Sequence, residues 1–515
     1  MVEQINITIT PIKFRLISAS KQAYITLTSE RENIMNTFAN AINNQMTYTT
    51  NGMPTRLTTG NACTTLFFKI GASRNQNIIP EFVAAYAENK DIALRILQWS
   101  RDIREGSGER ETFRTILKHL ELVDVEMAKK VMDKIPLLGR FDDLLIDHDN
   151  QDCQDYAFNI YKKALEDNNG LAFKWCPREN SAKKEIANKF RNYLGLTPRE
   201  YRKYLVNGTK VTENQMCNND WDNINFSHVP SVCHARNKKA FGRHTEKYAE
   251  YIKALVKGDP TVKINASAIF PHDVLKTVIS QVCNRWVFAR TADLTQTELD
   301  AIEQQWKALP NFVGDRNILP MVDVSGSMEV EVSPNLSAIE IALSLGLYLA
   351  DKNSGKFKDI FLTFSRVTEL VTLKGNIIQK VMQMNSSTWS MTTDIESAFE
   401  KILQVAIDGK VPNEEMPSSL LILSDQQFNG CVKNYKESSL DMVRGMYARA
   451  GYTLPNIIYW NLNSYNNVPV AFDELGTALI SGYSPNIMKT LFSVENMTPI
   501  GIMMNTVNID RYSLA

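Results

Sequence analysis

Three hydrophobic rhythms follow one another along the chain. Over residues 1–60, Ile5-Asn6-Ile7-Thr8-Ile9-Thr10 and Tyr24-Ile25-Thr26-Leu27-Thr28 alternate apolar and polar positions. That period of two predicts half-buried strands. A short helix-like run over 32–42 and an Asn51-Gly52 turn signal follow. From about residue 61 to 310 the period becomes that of helices. Ile79, Phe82, Val83 and Tyr86 fall on one helical face, and Phe113-Ile116-Leu117-Leu120 and Val274-Val278-Val282 repeat the spacing. Gly106-Ser107-Gly108, Ile135-Pro136, Gly195 and Gly258-Asp259-Pro260 punctuate these helices, and Thr197-Pro198 with Glu200 reads as a helix start. Many short helices in succession suggest a helical-repeat array, although no fixed period stands out.

From about 311 the rhythm changes again. The apolar runs Ile318–Val322, Asp359–Phe364, Leu420–Leu423 and Ile457–Trp460 alternate with amphipathic segments over 336–350, 377–384, 395–405 and 438–449. Strands alternating with helices predict a doubly wound parallel α/β domain. The expected organisation is therefore multidomain: a strand-bearing extension over 1–60, a helical-repeat domain over 61–310 and an α/β domain over 311–515.

Composition narrows the class. A chain of 515 residues exceeds what one hydrophobic core supports. With 44% hydrophobic and 22% charged residues it is neither disordered nor fibrous. No apolar run is long enough to span a bilayer, and the first residues lack the shape of a secretory signal. The seven cysteines include no CxxC pair, which suits reduced thiols and a cytoplasmic location. Net charge is zero, yet it is unevenly spread: residues 1–310 carry 42 basic and 36 acidic groups, and residues 174–257 alone carry 17 and 8. A concentrated basic stretch of this kind makes an electrostatic footprint for nucleic acid.

The candidate chemistry sits in the last third. In a doubly wound sheet, ligands bind beyond the carboxyl ends of the strands. Asp323, Ser325 and Ser327 follow the first apolar run, Thr393 opens a later helix, and Asp425 ends the strand expected over 420–425. Two carboxylates and three hydroxyls form a hard-oxygen set suited to octahedral Mg²⁺ or Mn²⁺. Few anionic ligands would leave such an ion able to accept an acidic group from a partner.

This set, PMVDVSGSM followed by TTD and LSD, resembles the metal-ion-dependent adhesion site of von Willebrand factor A domains. Thr392 stands beside Thr393, so the third hydroxyl could belong to either. Catalysis is not expected. A haloacid-dehalogenase phosphatase needs Asp-x-Asp, and Ser325 occupies the second place. Neither a phosphate-binding loop nor a His-Glu-x-x-His motif is present. Cys217, Cys233, His234 and His228 match no zinc-finger spacing.

Upstream, LFFKIGASR (66–74), LQWSRDIREGSGERETFR (97–114), IPLLGRFDDLL (135–145), LAFKWCPREN (171–180) and VPSVCHARNKKAFGRH (229–244) resemble the TROVE module of Ro ribonucleoproteins. QWKALPNFVGDRNILPMVDVSGSM (305–328) resembles the junction in a branch of that family with a fused von Willebrand factor A domain. The resemblance implies a ring of HEAT-like helical repeats closed by the A domain, holding single-stranded ends of misfolded or small structured RNAs.

The basic stretch supplies candidates for that role: Lys174, Arg178, Lys183, Lys184, Lys189 and Arg191, then Arg236, Lys238, Lys239, Arg243, His244 and Lys247. Trp175, Phe190, Tyr193, Trp221 and Phe241 are interleaved and could stack on bases. Arg101, Arg104 and Arg110 are expected to pair locally with Asp102, Glu105 and Glu109, and Arg140-Phe141-Asp142-Asp143 to serve as a structural ion pair and cap. The competing expectation is a metal-dependent protein–protein scaffold that uses no RNA.

Overall fold

In a computed structural model of the protein, the residues described are 46–282, 294–363, 368–386, 395–429, 439–491 and 497–514. The strands expected at 5–10 and 24–28 and the helix expected near 32–42 lie outside them.

The Asn51-Gly52 signal is a hairpin: β1 (Met46–Tyr48) and β2 (Pro54–Arg56) pair antiparallel across it, with Gly52 at φ 86°. Helices follow. Those over Ala62–Ile70, Ile79–Glu88, Lys90–Arg101, Glu111–Val123, Val125–Leu138 and Gln151–Glu166 pack mainly on their chain neighbours, and further helices continue to Gln296–Lys307. Side-chain caps start many of them, including the Thr197–Glu200 capping box anticipated from the sequence.

Within this array the charged residues near the first turns pair over long distances. Arg101 and Arg114 meet the buried Asp143 at 2.6 and 2.7 Å, while Asp102 pairs with Arg511 and Glu109 with Arg74 at 2.7 Å. The local pairing expected for Arg101, Asp102 and Glu109 is therefore replaced by tertiary partners. Arg140 does pair with Asp142, and Asp143 caps the short turn that follows, so that segment is the structural knot expected of it.

The last third forms a six-stranded sheet. Its strands are β3 (Ile318–Val322), β6 (Ile360–Thr363), β7 (Leu370–Thr372), β8 (Ser419–Ser424), β9 (Asn456–Asn461) and β10 (Thr477–Ser481), and a small separate ribbon, β4 (Glu331–Ser333) with β5 (Leu336–Ser337), follows β3. The order across the sheet is β10-β9-β8-β3-β6-β7. Five strands are parallel, and β7 is antiparallel at one edge, so the expected all-parallel sheet is mixed. Leu421, Leu423, Ile458 and Trp460 join the hydrophobic cluster on one face, and Leu420, Ile422, Ile457 and Tyr459 join that on the other. Burial on both faces explains why these strands read as unbroken apolar runs.

The helical array is fastened to this sheet at both of its ends. The helices Pro271–Val282 and Gln296–Lys307 pack near Ala338–Lys352, which covers one sheet face; Trp306 Nε1 donates to Asp351 at 2.8 Å. At the other end, the helix Ala62–Ile70 docks on the carboxyl ends of β9 and β10. A helix leaves its last carbonyls without partners. Here Ser481 Oγ donates to Phe67 O at 3.0 Å, Asn461 Nδ2 to Phe68 O at 3.3 Å, and Ser464 Oγ to Lys69 O at 3.0 Å. The chain thus departs from the α/β body and returns to it.

Gly71 permits this approach. A Cβ there would lie 2.7 Å from Ser481 Oγ and 2.8 Å from the Ser481 backbone. Gly71→Ala should destabilise the protein by about 1–3 kcal/mol, as overpacking does, which urea unfolding would measure. An unchanged midpoint would mean that the helix does not sit on the sheet this closely.

Candidate metal centre and nucleic-acid interface

β3 and β8 are neighbours in the sheet, yet the chain leaves them in opposite directions, toward β6 and toward β9. That reversal is where a doubly wound sheet opens a crevice. Asp323 follows β3 and Asp425 follows β8, so the register Val322 to Leu423 brings both carboxylates to one spot. Both are buried, Asp323 completely and Asp425 at 1% exposure.

Asp323 Oδ1 accepts from Ser325 N at 2.9 Å and Oδ2 from Ser424 Oγ at 2.6 Å. Ser325 and Ser327 approach each other at 3.0 Å between their hydroxyls. Asp425 Oδ1 accepts from Gln427 N at 3.2 Å, while its Oδ2 is buried with no hydrogen-bond donor upon it. Burial, and then the neighbouring Asp323, push the Asp425 carboxyl up to about 7. Burial raises Asp323 as well.

Two desolvated carboxylates side by side repel unless a proton or a cation comes between them. Neither has an ion pair among the described residues. With the Ser325 and Ser327 hydroxyls they make an all-oxygen set of the kind a hard divalent cation takes. Among the described residues no three His, Cys, Asp or Glu side chains gather to hold a metal, so hydroxyls would have to complete any shell. Thr393 lies outside the described residues.

Ser424, Gln426 and Gln427 complete the site's framework and were missed in the sequence. Gln426 adopts φ 65°, and its backbone N–H donates to Ser424 Oγ at 2.9 Å. The hairpin β1–β2 holds the next residues: Thr50 N donates to Gln427 Oε1 at 2.8 Å, and Thr49 Oγ1 donates to Phe428 O at 2.6 Å. The run Ser424-Asp425-Gln426-Gln427, polar immediately after a buried strand, was the available signal.

The basic residues separate into two groups. In the first, Lys174 pairs with Glu213 at 2.8 Å, Lys183 with Asp142 at 3.3 Å, Lys189 with Asp147 at 2.8 Å, and Arg191 with Glu179. Arg178 donates to Thr209 Oγ1 at 3.0 Å, and Lys184 is exposed. Acidic neighbours thus offset most of this group's positive charge. In the second, on the helix Ser231–His244, Arg236, Lys239 and Arg243 are exposed with no ion pair among the described residues. Their spacing of three and four places them along one face.

Lys238 is the exception, only 6% exposed, with its ammonium donating to Ala235 O and Thr277 Oγ1, both at 2.9 Å. His244 stacks on Trp221 with centroids 4.3 Å apart, and exposed Lys247 donates to Asp222 O at 2.9 Å. Phe190 and Phe241 are fully buried among other rings, so neither is available to stack on a base. Trp175 is covered by the Arg140 guanidinium at 3.7 Å, while Tyr193 stays 39% exposed. Cys217 is exposed and Cys233 is buried.

Comparison with known proteins finds two family models that divide the latter part of the chain. Domain of unknown function DUF2828 matches residues 177–316 and Domain of unknown function DUF7788 matches 317–507. The seam falls immediately before β3. A curated relative, Uncharacterized protein L728 of Acanthamoeba polyphaga mimivirus, is 29% identical over 520 residues, covering 90% of this chain and 87% of that protein. Among solved structures, the Ro (RSR) protein of Deinococcus radiodurans matches with a TM-score of 0.46 and 14% identity, covering 87% of this chain and 100% of that one.

The Asp425 environment has a testable consequence in metal-free protein. A carboxyl raised from 3.8 to about 7 costs stability progressively as pH rises between those values, because the unfolded state ionises there while the folded state keeps its proton; above pH 7 the cost is complete. Asp425→Asn should therefore raise the unfolding free energy of the chelator-treated protein at pH 8 by on the order of a few kcal/mol, measured by urea unfolding, and by clearly less at pH 5. An equal effect at both pH values would show that Asp425 does not ionise against a buried neighbour.

Proposed function

We propose that this is a Ro-like RNA-binding protein. Its helical array grips single-stranded ends of small structured or misfolded RNAs, and its α/β body is a von Willebrand factor A domain that holds a divalent cation for an acidic partner ligand. The observation that carries the RNA part is the exposed row Arg236, Lys239 and Arg243, free of ion pairs among the described residues, on an array fastened at both ends to the same body. Surface guanidinium and ammonium groups without acidic partners bind phosphates by displacing counterions, which gives sequence-tolerant affinity. The likeness of 66–74, 97–114, 135–145, 171–180 and 229–244 to the TROVE module supports the same reading.

The A-domain part is supported by the two buried carboxylates at the reversal of strand order. Asp323, Ser325, Ser327 and Asp425, with Thr393, would hold Mg²⁺ or Mn²⁺. Bound there, the ion would supply Lewis acidity toward a carboxylate or phosphate oxygen. The chain's own residues contribute orientation: Ser424 and the Ser325 backbone fix both oxygens of Asp323. No catalytic role is proposed.

A second reading, a metal-dependent protein scaffold that uses no RNA, is favoured by the acidic partners already paired with Lys174, Lys183, Lys189 and Arg191. Among the described residues no helix is long and apolar enough to cross a membrane, and neither reading needs one.

Two measurements separate these readings. Changing Arg236, Lys239 and Arg243 together to Gln should flatten the log–log salt dependence of single-stranded RNA binding by about two units, at roughly 0.7 per lost contact. The same change at Lys183, Lys189 and Arg191 should have a smaller effect. If the wild-type protein binds no single-stranded RNA, the scaffold reading stands alone.

For the metal, Asp323→Ala should abolish Mn²⁺ binding in calorimetry while the protein stays folded. Unchanged affinity would remove the cation from this site.

A further inference from the structure

The helix Ser231–His244 also walls a cavity of about 390 Å³. Four basic side chains line it: Arg236, Lys238, Lys239 and Lys276. Two acids, Asp273 and Glu298, lie in the same wall. Glu298 is already committed, because its Oε2 accepts from both Thr295 N and Thr295 Oγ1 at 2.9 Å to cap the following helix. The cavity therefore carries an excess of positive charge.

Lys238 is the unusual member. Its ammonium has three N–H donors, and two of them are taken by Ala235 O and Thr277 Oγ1. No carboxylate is within hydrogen-bonding reach of it among the described residues. Burial lowers its pKa to about 8, against a partial opposing field from Glu298. A buried ammonium without an ion pair is costly. Lysines usually avoid that cost by snorkelling the head group into water. This one stays beneath the surface, with a donor to spare, beside an open cavity and two unpaired cationic neighbours.

We infer that this cavity is a binding site for the phosphate monoester of a nucleotide, with Lys238 at its floor and Arg236 and Lys239 at its rim. The converging donors suit a group with three acceptor oxygens and up to two negative charges. Its volume falls within the range of small-ligand sites and leaves room for a nucleoside beside the phosphate. The ligand has two sources, a terminal phosphate on an RNA strand or a free nucleotide. The first deepens the RNA reading above and rests on it; the second does not.

The test uses the full chain. Anisotropy would compare single-stranded oligonucleotides of one sequence carrying a 5′-phosphate, a 3′-phosphate or hydroxyls at both ends. A hydroxyl-ended strand one nucleotide longer controls for total charge. In parallel, melting temperature would be followed with AMP, adenosine and inorganic phosphate. The expected result is that one phosphorylated end binds about tenfold tighter than either hydroxyl-ended strand, the size of one charge-assisted contact.

AMP should raise the melting temperature and erase that preference, while adenosine should do neither. Lys238→Met should abolish both effects and keep hydroxyl-ended binding, with the protein still folded because removing a buried charge that lacks an ion pair offsets the loss of its two hydrogen bonds. Lys239→Gln, at the exposed rim, should weaken the preference without any risk to folding. Stabilisation by AMP without a preference between RNA ends would assign the site to free nucleotide. AMP stabilisation lost in Lys238→Met, with no oligonucleotide bound at all, would keep the cavity and overturn the RNA reading. Equal affinity for all ends with no AMP stabilisation, or effects that survive in Lys238→Met, would overturn the cavity itself.

Discussion

The last turn of the helix Ala62–Ile70 has carbonyls that its own backbone cannot satisfy, and the α/β sheet supplies the missing donors. Ser481, Asn461 and Ser464 stand at or just beyond the carboxyl ends of β9 and β10 and bond to Phe67, Phe68 and Lys69. Lys69 O also accepts from Ala72 N and Ser73 Oγ, but the buried carbonyls of Phe67 and Phe68 would lose partners without the sheet donors. With them, the first helix of the array is anchored by backbone-directed bonds, and Gly71 lets the two segments close to contact. The far end of the array reaches the same body through Trp306 and Asp351. The helices therefore form a circuit closed through the sheet.

The same sheet edge carries the paired carboxylates. Closure and chemistry are coupled there, because the hairpin β1–β2 precedes the docked helix and also braces Gln427 and Phe428 beyond Asp425. A shift of the array would pull on the loop that positions Asp425. The loop already holds Gln426 at a positive φ that a branched or bulky residue tolerates poorly, and it sits over a carboxylate oxygen without a donor.

Much of this was legible in the sequence, for definite reasons. Strands buried on both faces appear as apolar runs, so β3, β8 and β9 could be placed, and with them Asp323 and Asp425 at two strand ends. β7 was not seen because Leu370–Thr372 is a three-residue edge whose side chains are partly exposed. Thr477–Ser481 escaped because five apolar and hydroxyl residues between two glycines are too short to show a period.

Charge was harder to read. Sequence neighbours suggested that Asp102 and Glu109 pair locally, but tertiary packing gave them Arg511 and Arg74. Along Ser231–His244, Lys238 and Lys239 are adjacent letters, yet one is buried at the cavity and the other is exposed at its rim. Only the rotation of the helix separates them. Aromatic residues misled for the same reason, since Phe190 and Phe241 lie on the faces that the array turns inward.

The circuit also sets an order of events during synthesis. Domains fold as they emerge from synthesis, which adds roughly 5–20 residues per second. The partners that complete the start of the array, Ser481 for the helix Ala62–Ile70 and then Arg511 for Asp102 at the end of Lys90–Arg101, are made about 400 residues later. About 200 of those residues follow the last helix of the array, so the array stands assembled but unfastened for roughly 10–40 s. Until the last strands are made, Phe68, fully buried in the finished protein within the sheet's own hydrophobic cluster, lacks part of its cover. The nascent chain is an open arc with an adhesive end, and the last strand of the sheet is its clasp.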